Sequence, residues 1–312
     1  MLNLKKLAGG ALLLPFLFFG VCRIIPFSRK KYTHQAATAS ILGMFLQTLF
    51  FGLAYGNTIP DIQKIKKKGV LTVALVREHS PPFFMKDNKD NFFGLDIELA
   101  KRIATELGVK INFIDTAKSY DEAVTQVSDG LVDIAMCKLT SNVRRAQSVS
   151  FTKPYITLNH AILINRIKNF DFNKEDINFV IEHMNQPTST IAVVKGTSYV
   201  DYAKHDFPKA RIVQVDTVDQ LFKAVVTGDA MFALKDESDV KNWIHQNPEN
   251  SIRVKVVLNK NRKDPISIAV TWDKPHLLNW LNLFIDNENY DGHLESLKKY
   301  YLEGFEWTRR RS

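Results

Sequence analysis

The stretch Asp133 to Tyr155, DIAMCKLTSNVRRAQSVSFTKPY, holds the residues of this chain best suited to chemistry. Ile134, Ala135, Met136 and Cys137 form a short apolar run that reads as a buried strand, followed by Thr140, Ser141 and Asn142 and then by Arg144 and Arg145. A strand that ends in hydroxyls and leads into a guanidinium is suited to an anion. Hydroxyls and the free N–H groups of a following helical turn can hold one carboxylate oxygen, while a planar arginine fork holds both. Arg145 and Thr140 are the first candidates. A bare Arg-Arg pair also occurs on solvated helix faces, so its neighbours decide between the two readings.

The elements that would position this stretch alternate. IQKIKKKG predicts a short amphipathic helix stopped by Gly69, and VLTVALV a strand that ends at a polar, proline-rich loop. GLDIELAKRIATELG predicts a helix with Asp96 as N-cap, apolar Ile97, Leu99, Ala100 and Ile103 on one face, and Gly108 as its stop. VKINFID is the next strand and YDEAVTQVSDG the next helix. This order implies a parallel sheet with right-handed crossovers, whose ligands sit beyond the carboxyl ends of the strands. Three loops gather there: Arg77 to Ser80, the residues after Ile114, and Lys138 to Arg145.

After Tyr155, AILINR can carry the chain out of this lobe. STIAVVKGTSYVDYAK, ARIVQV, VDQLFKAVVTG and AMFALKD then repeat the strand and helix theme, DPISIAV returns to the first lobe, and two helices close the chain. The expected organisation is 1–56 as a signal peptide or N-terminal membrane segment, 57–158 as lobe 1, 159–260 as lobe 2, and 261–312 as the return with the C-terminal helices.

The spacing of Thr140, Arg145, Phe151, Thr152, Pro154 and Tyr155 resembles the polar amino-acid-binding members of the type II periplasmic solute-binding proteins, family 3 of the bacterial extracellular solute-binding proteins. The resemblance extends upstream through GVLTVALVREHSPPF and FFGLDIELAKRIATELG. Downstream it continues through IAVVKGTSYVDYAK, GDAMFALKDES and DPISIAV, spanning roughly residues 62 to 307 in family order. It implies an α/β protein of two lobes, each a mostly parallel sheet flanked by helices, that serves an ABC importer.

A free amino acid needs a cationic fork for its carboxylate, and an anion with neutral acceptors for its ammonium. By the resemblance, Arg145 meets the carboxylate, Thr140 and the backbone carbonyl of Lys138 accept from the ammonium, and Asp236 pairs with it. Gly196, Thr197 and Ser198 form the turn whose N–H groups close over the carboxylate from the second lobe. Taken alone, Asp236 is an ordinary turn acid and KGTS an ordinary helix cap. Two departures bear on specificity. Ser80 stands before PPF where an aromatic is common, and Arg77 stands where binders of basic amino acids often carry an acid. The REHSPPF run resembles binders of acidic amino acids, with Arg77 meeting a side-chain carboxylate. Arg77 and Lys195 can equally be solvated loop residues.

Composition narrows the classes further. The chain has 312 residues, 45% of them hydrophobic, enough for well-buried cores. The net charge of +9 owes much to the N-terminal segment: residues 1–56 hold six basic residues and no acid, which leaves +3 on the rest. No basic run is interleaved with stacking aromatics, so nucleic acid is not an expected partner. The two cysteines, Cys22 and Cys137, are not expected to pair, and the eight histidines show no metal-ligand spacing, so neither a metal nor a cofactor is expected. RKKYTHQ followed by the apolar stretch Ala36 to Tyr55, with Ala54, Tyr55 and Gly56 as a small-x-small site, reads as a secretory signal, while its length also suits an uncleaved anchor. The expected protein is periplasmic, a monomer, and a partner of ABC transporter membrane subunits.

Enzyme readings have fewer residues behind them: GxSxG, HExxH and P-loop patterns are all absent. An alternative is an enzyme resembling the periplasmic cyclohexadienyl dehydratases, which needs an arginine for a carboxylate and a positioned proton donor or acceptor such as Glu78, His79 or Glu237. A third reading is the ligand-sensing domain of an anchored receptor.

Overall fold

The computed structural model describes residues 61–166 and 176–310, so the expected signal or anchor at 36–55 lies outside the described residues. Among the described residues no helix is long and apolar enough to cross a membrane. Helix α1 (Asp61–Lys68) buries Ile62 and Ile65 and leads into β1 (Val70–Val76), an inner strand of the first sheet. A small hairpin follows, β2 (Met85–Lys86) with β3 (Phe92–Phe93), then α2 (Leu95–Leu107), β4 (Lys110–Ala117), α3 (Tyr120–Ser128), β5 (Ile134–Ala135) and β6 (Ser150–Phe151). With β12 (Ala269–Val270) these strands form a sheet in the order β4-β1-β5-β12-β6. The pairs β1–β4 and β1–β5 are parallel, as the alternating strand and helix order predicts. Strand β12 arrives from the other lobe and runs antiparallel to both β5 and β6, which makes the sheet mixed.

Helix α2 corrects one expectation. Its N-cap is Gly94, with φ of +130°, and Asp96 lies in the first turn. A Cβ at Gly94 would fall 2.3 Å from the carbonyl oxygen of Phe83, so only glycine allows the helix to start so close to the hairpin. Asp96 is then free to point inward, on the same face as Leu99, Ala100, Ile103 and Leu107, all of them buried.

The second sheet holds β7 (Ile156–Asn165), β8 (Thr190–Val194), β9 (Arg211–Val215), β10 (Phe232–Asp236) and β11 (Val254–Ile266), in the order β11-β7-β10-β8-β9. Here β8 pairs in parallel with β9 and β10, while β7 is antiparallel to β10 and β11. Both faces are covered, which explains its continuous apolar runs. Ala161, Leu163, Ala192 and Ala233 pack on one side with α6 (Val218–Thr227) and α7 (Glu237–Gln246), through Leu221, Phe222 and Trp243. Ile162, Ile164, Ile191, Val193 and Leu234 pack on the other with α4 (Ile177–Met184) and α5 (Ser198–Asp206), through Val180, Met184 and Tyr199.

Strands β7 and β11 join the lobes. Their pairing runs from Val254 opposite Asn165 to Ile266 opposite Ile156, with a shift of register between Asn259 and Lys263. Ile156, Leu158 and Ile266 belong to the core of the first lobe, and Ala161 and Leu163 to that of the second. A two-stranded ribbon rooted in both cores is a hinge geometry, and an irregular register gives it a place to bend. Helices α8 (Pro275–Tyr290) and α9 (His293–Lys298) complete the first core with Leu277, Leu281, Ile285 and Leu294.

Candidate functional site

The site begins with Asp96. Fully buried, its carboxylate accepts from the Lys138 N–H at 2.6 Å and from the Tyr155 hydroxyl at 2.8 Å. Burial pushes the Asp96 pKa up to about 7 against these two bonds. They fix Lys138 in a left-handed conformation, φ +54°, rare for a residue with a side chain. The chain turns sharply after β5 and Lys138 enters the space between the lobes.

There its side chain takes a part the sequence did not suggest. The Lys138 ammonium lies 2.8 Å from Asp236 and 2.8 Å from Asp239, at the end of β10 and in the first turn of α7. Lys235 reaches the same two carboxylates, at 3.3 Å and 2.6 Å. Asp236 also caps α7, accepting from the N–H groups of Ser238 and Asp239 and from the Ser238 hydroxyl. All four charged residues are buried. Burial alone would raise the Asp236 pKa, but Lys138 and Lys235 hold it well below the usual carboxylate range. Burial likewise opposes the Lys235 charge, and Asp239 and Asp236 sustain it.

Arg145 opens a single 3-10 turn, its N–H donating to the Asn142 side chain at 2.9 Å. Its Nε donates to Asp121 at 2.9 Å and its Nη1 to the Thr140 carbonyl at 2.9 Å, while Nη2 is buried without a hydrogen-bond partner. Arg145 is 3% exposed, and its unmet Nη2 is enclosed by protein. From the second lobe Gly196 turns with φ +72°, Thr197 caps α5 in an extended conformation, and the Ser198 hydroxyl donates to Thr140 Oγ1 at 3.1 Å. Tyr199 donates to Asp264 at 3.0 Å, and burial, with Asp236 close by, raises the Asp264 pKa. Arg144 adds a more exposed clamp, with Asp121 and Asp201 each at 3.0 Å.

Together these groups enclose a cavity of about 10 Å³, a closed cleft that must open to admit a solute. Lys138, Thr140, Arg145, Thr197, Ser198 and Asp236 line it, and Gly196 forms the turn beside them. Two candidates lie elsewhere. Arg77 is exposed at the end of β1, its N–H held by the Ala117 carbonyl at 2.7 Å, and it does not line the cavity. Ser80 is buried, its N–H donating to the Phe84 carbonyl at 3.0 Å, and it does not line the cavity. Lys195 is exposed. Lys138 contributes its ammonium where its carbonyl was expected to act.

Sequence reasoning passes over Tyr120, Lys235, Asp239 and Asp264. A signal existed for Lys235, a charged residue inside the otherwise apolar run AMFAL before Asp236, and for Asp96, an acid on the apolar stripe of α2. Asp239 and Asp264 read as ordinary polar positions, and only the closed lobes make them neighbours. Among the described residues no group of three or more His, Cys, Asp or Glu could hold a metal.

With two lobes, a hinge ribbon and a cationic fork between them, this chain has the architecture of a type II periplasmic binding protein. It belongs to the bacterial extracellular solute-binding proteins, family 3, whose pattern it matches over residues 71–304. Among solved structures it is similar to the putative binding component of an ABC transporter from Wolinella succinogenes, complexed with lysine, at 25% identity and a TM-score of 0.69 over 78% of this chain and 99% of that one. It is also similar to an ancestral amino acid-binding protein described as a precursor of cyclohexadienyl dehydratase, at 29% identity and a TM-score of 0.66 over 78% and 99%. A further relative, membrane-bound lytic murein transglycosylase F of Pseudomonas fluorescens, is 28% identical over 77% of this chain. The chain spans about half the length of that relative, 47%.

Proposed function

We propose that this protein is the solute-binding component of an ABC importer, working outside the cytoplasm as a monomer, and that it closes its lobes on a small carboxylate-bearing solute of the amino-acid class. The observation that carries the reading is Arg145, a buried guanidinium with two of its edges satisfied by Asp121 and Thr140 and Nη2 left unmet at the cavity. An unmet buried charged donor is costly, and a carboxylate is the group that matches its geometry. Thr140, Thr197 and Ser198 surround it with hydroxyls and with the N–H groups that begin α5. Closure strips water from these groups, so each pairing strengthens only when the solute supplies the matching charge.

The charges around the cavity are mixed, Lys138, Lys235 and Arg145 against Asp236 and Asp264, and the lysines are already paired with Asp236 and Asp239, so the fork at Arg145 carries the preference for a carboxylate. Glu78, His79 and Glu237 do not line the cavity, and Glu237 is engaged by Asn159 in the hinge at 2.8 Å, which supports a carrier over an enzyme. Thermal unfolding of the protein with each common amino acid and its 2-oxo counterpart tests the proposal. A ligand at 100 times its dissociation constant stabilises by about 2.7 kcal/mol. Stabilisation that disappears in Arg145→Lys is expected, whereas no response to any small carboxylate, or turnover of prephenate at an enzymic rate, would contradict the reading.

A further inference from the structure

A polar atom buried at a cavity needs a partner, and the partners that the chain itself provides show where a solute is wanted. Two acids line the cavity, Asp236 and Asp264. Asp236 has both oxygens engaged: Oδ1 accepts from the Ser238 and Asp239 N–H groups and from the Ser238 hydroxyl, and Oδ2 faces the Lys235 and Lys138 ammonium groups at 3.3 and 2.8 Å. Asp264 is different. It is 2% exposed, and its Oδ2 accepts from the Tyr199 hydroxyl at 3.0 Å, while its Oδ1 is buried without a hydrogen-bond partner.

This acid stands beside the arginine fork. Asp264 lies in the hinge strand β11, where the Ser141 N–H donates to the Pro265 carbonyl at 2.9 Å and Thr140 bridges to Ile266. The carbonyl of the same Thr140 receives Arg145 Nη1, so Thr140 links the fork to the strand that carries Asp264. Arg145 Nη2, a cationic donor, and Asp264 Oδ1, an anionic acceptor, are both unmet among residues lining one cavity. An α-amino acid carries a carboxylate and an ammonium one carbon apart, a partner for each. Burial favours the neutral form of Asp264, and a cation brought against Oδ1 restores its charge.

We propose that Asp264 receives the ammonium of an α-amino acid whose carboxylate Arg145 holds, and that Asp236 serves instead to anchor Lys138 and Lys235. This rests on the reading of the cleft as a carboxylate carrier and adds the residue that selects amino acids among carboxylates. Because the Tyr199 hydroxyl reaches Asp264 from α5, the ammonium site is complete only with the lobes closed.

Calorimetric titration of the full chain with matched pairs tests it: L-glutamate against 2-oxoglutarate, L-leucine against 4-methyl-2-oxopentanoate, L-phenylalanine against phenylpyruvate, and L-arginine against 5-guanidino-2-oxopentanoate. The amino acid of a responding pair is expected to bind about tenfold more tightly or better. Asp264→Asn keeps the shape of the side chain but offers an amide that can donate to a 2-oxo oxygen, and it is expected to move the ratio toward the oxo acid by about tenfold or more. Asp264→Ser, which also removes the charge, is expected to move it in the same direction. A crystal structure of the wild type with the amino acid is expected to place its nitrogen about 3 Å from Asp264 Oδ1. An unchanged ratio in the folded variants, a nitrogen lying against Asp236 in place of a lysine, or tighter binding of the oxo acids by the wild type overturns the inference while leaving the carrier reading in place. Binding of neither member of any pair overturns both.

Discussion

At the scale of single residues the account rests on Arg145 and on the four charges that meet at Asp236. Arg145→Lys keeps a positive charge but loses the planar fork that serves Asp121, Thr140 and the cavity together. We expect it to weaken carboxylate binding by roughly 2–5 kcal/mol with the fold intact. Calorimetry on the variant checks this, and an unchanged affinity would remove Arg145 from the site. His160 makes a second prediction. It lies buried in the hinge strand β7, its ring centroid 4.9 Å from that of Tyr199 and 5.0 Å from that of Tyr202, and burial lowers its pKa to about 4. Because the folded pKa lies below the unfolded value of 6.5, the unfolded state takes up the proton first, and the His160 contribution is complete above that value. It is lost as pH falls from about 6.5 to about 4, by roughly 3 kcal/mol. Chemical denaturation of His160→Phe and wild type across this range should show the variant losing less stability on acidification; parallel profiles would contradict the assignment.

Much at this scale was legible in the chain: TSNVRR after an apolar run pointed to Thr140 and Arg145, and both line the cavity. The use of Lys138 was not, since it depends on a left-handed backbone at a lysine and on a buried acid 42 positions earlier, neither of which has a local pattern.

At the scale of elements, turns decide how closely the lobes approach. Gly196 precedes α5, and a Cβ there would stand 3.0 Å from the Cβ of Ser119, the N-cap of α3 in the other lobe. Gly196→Ala should therefore cost about 1 kcal/mol of stability through its left-handed φ. In addition, its methyl group resists closure, so ligand affinity should fall by about tenfold, more than the stability change accounts for. Thermal unfolding paired with calorimetry separates the two effects, and a variant that binds as tightly as wild type would show that the lobes do not meet at this turn. The strands and helices themselves were largely readable, because apolar runs in β8 and β10 and helical spacing in α2 and α6 leave few alternatives. The cap of α2 was misassigned for a physical reason: aspartate before an apolar stripe suits a cap, and only the close approach of Gly94 to Phe83 shows that the residue two positions earlier holds that place. The antiparallel arrival of β12 was equally hidden, since strand direction depends on where a long return begins.

At the scale of the whole molecule, β7 and β11 run through both cores, and the cleft is crossed by polar contacts: Ser198 with Thr140, Arg144 with Asp201, and Lys138 with Asp236 and Asp239. Elsewhere α7 meets the C-terminal segment, with His245 stacked on Phe305 and Lys241 donating to the Leu302 and Glu303 carbonyls, so opening by bending the ribbon has to accommodate this contact as well as the polar pairs. The most direct test is a crystal structure with the tightest-binding carboxylate. The account expects the carboxylate to lie between the lobes with an oxygen about 3 Å from Arg145 Nη2 and the Lys138 ammonium still between Asp236 and Asp239. A solute bound outside this cleft, or a carboxylate facing away from Arg145, would contradict it.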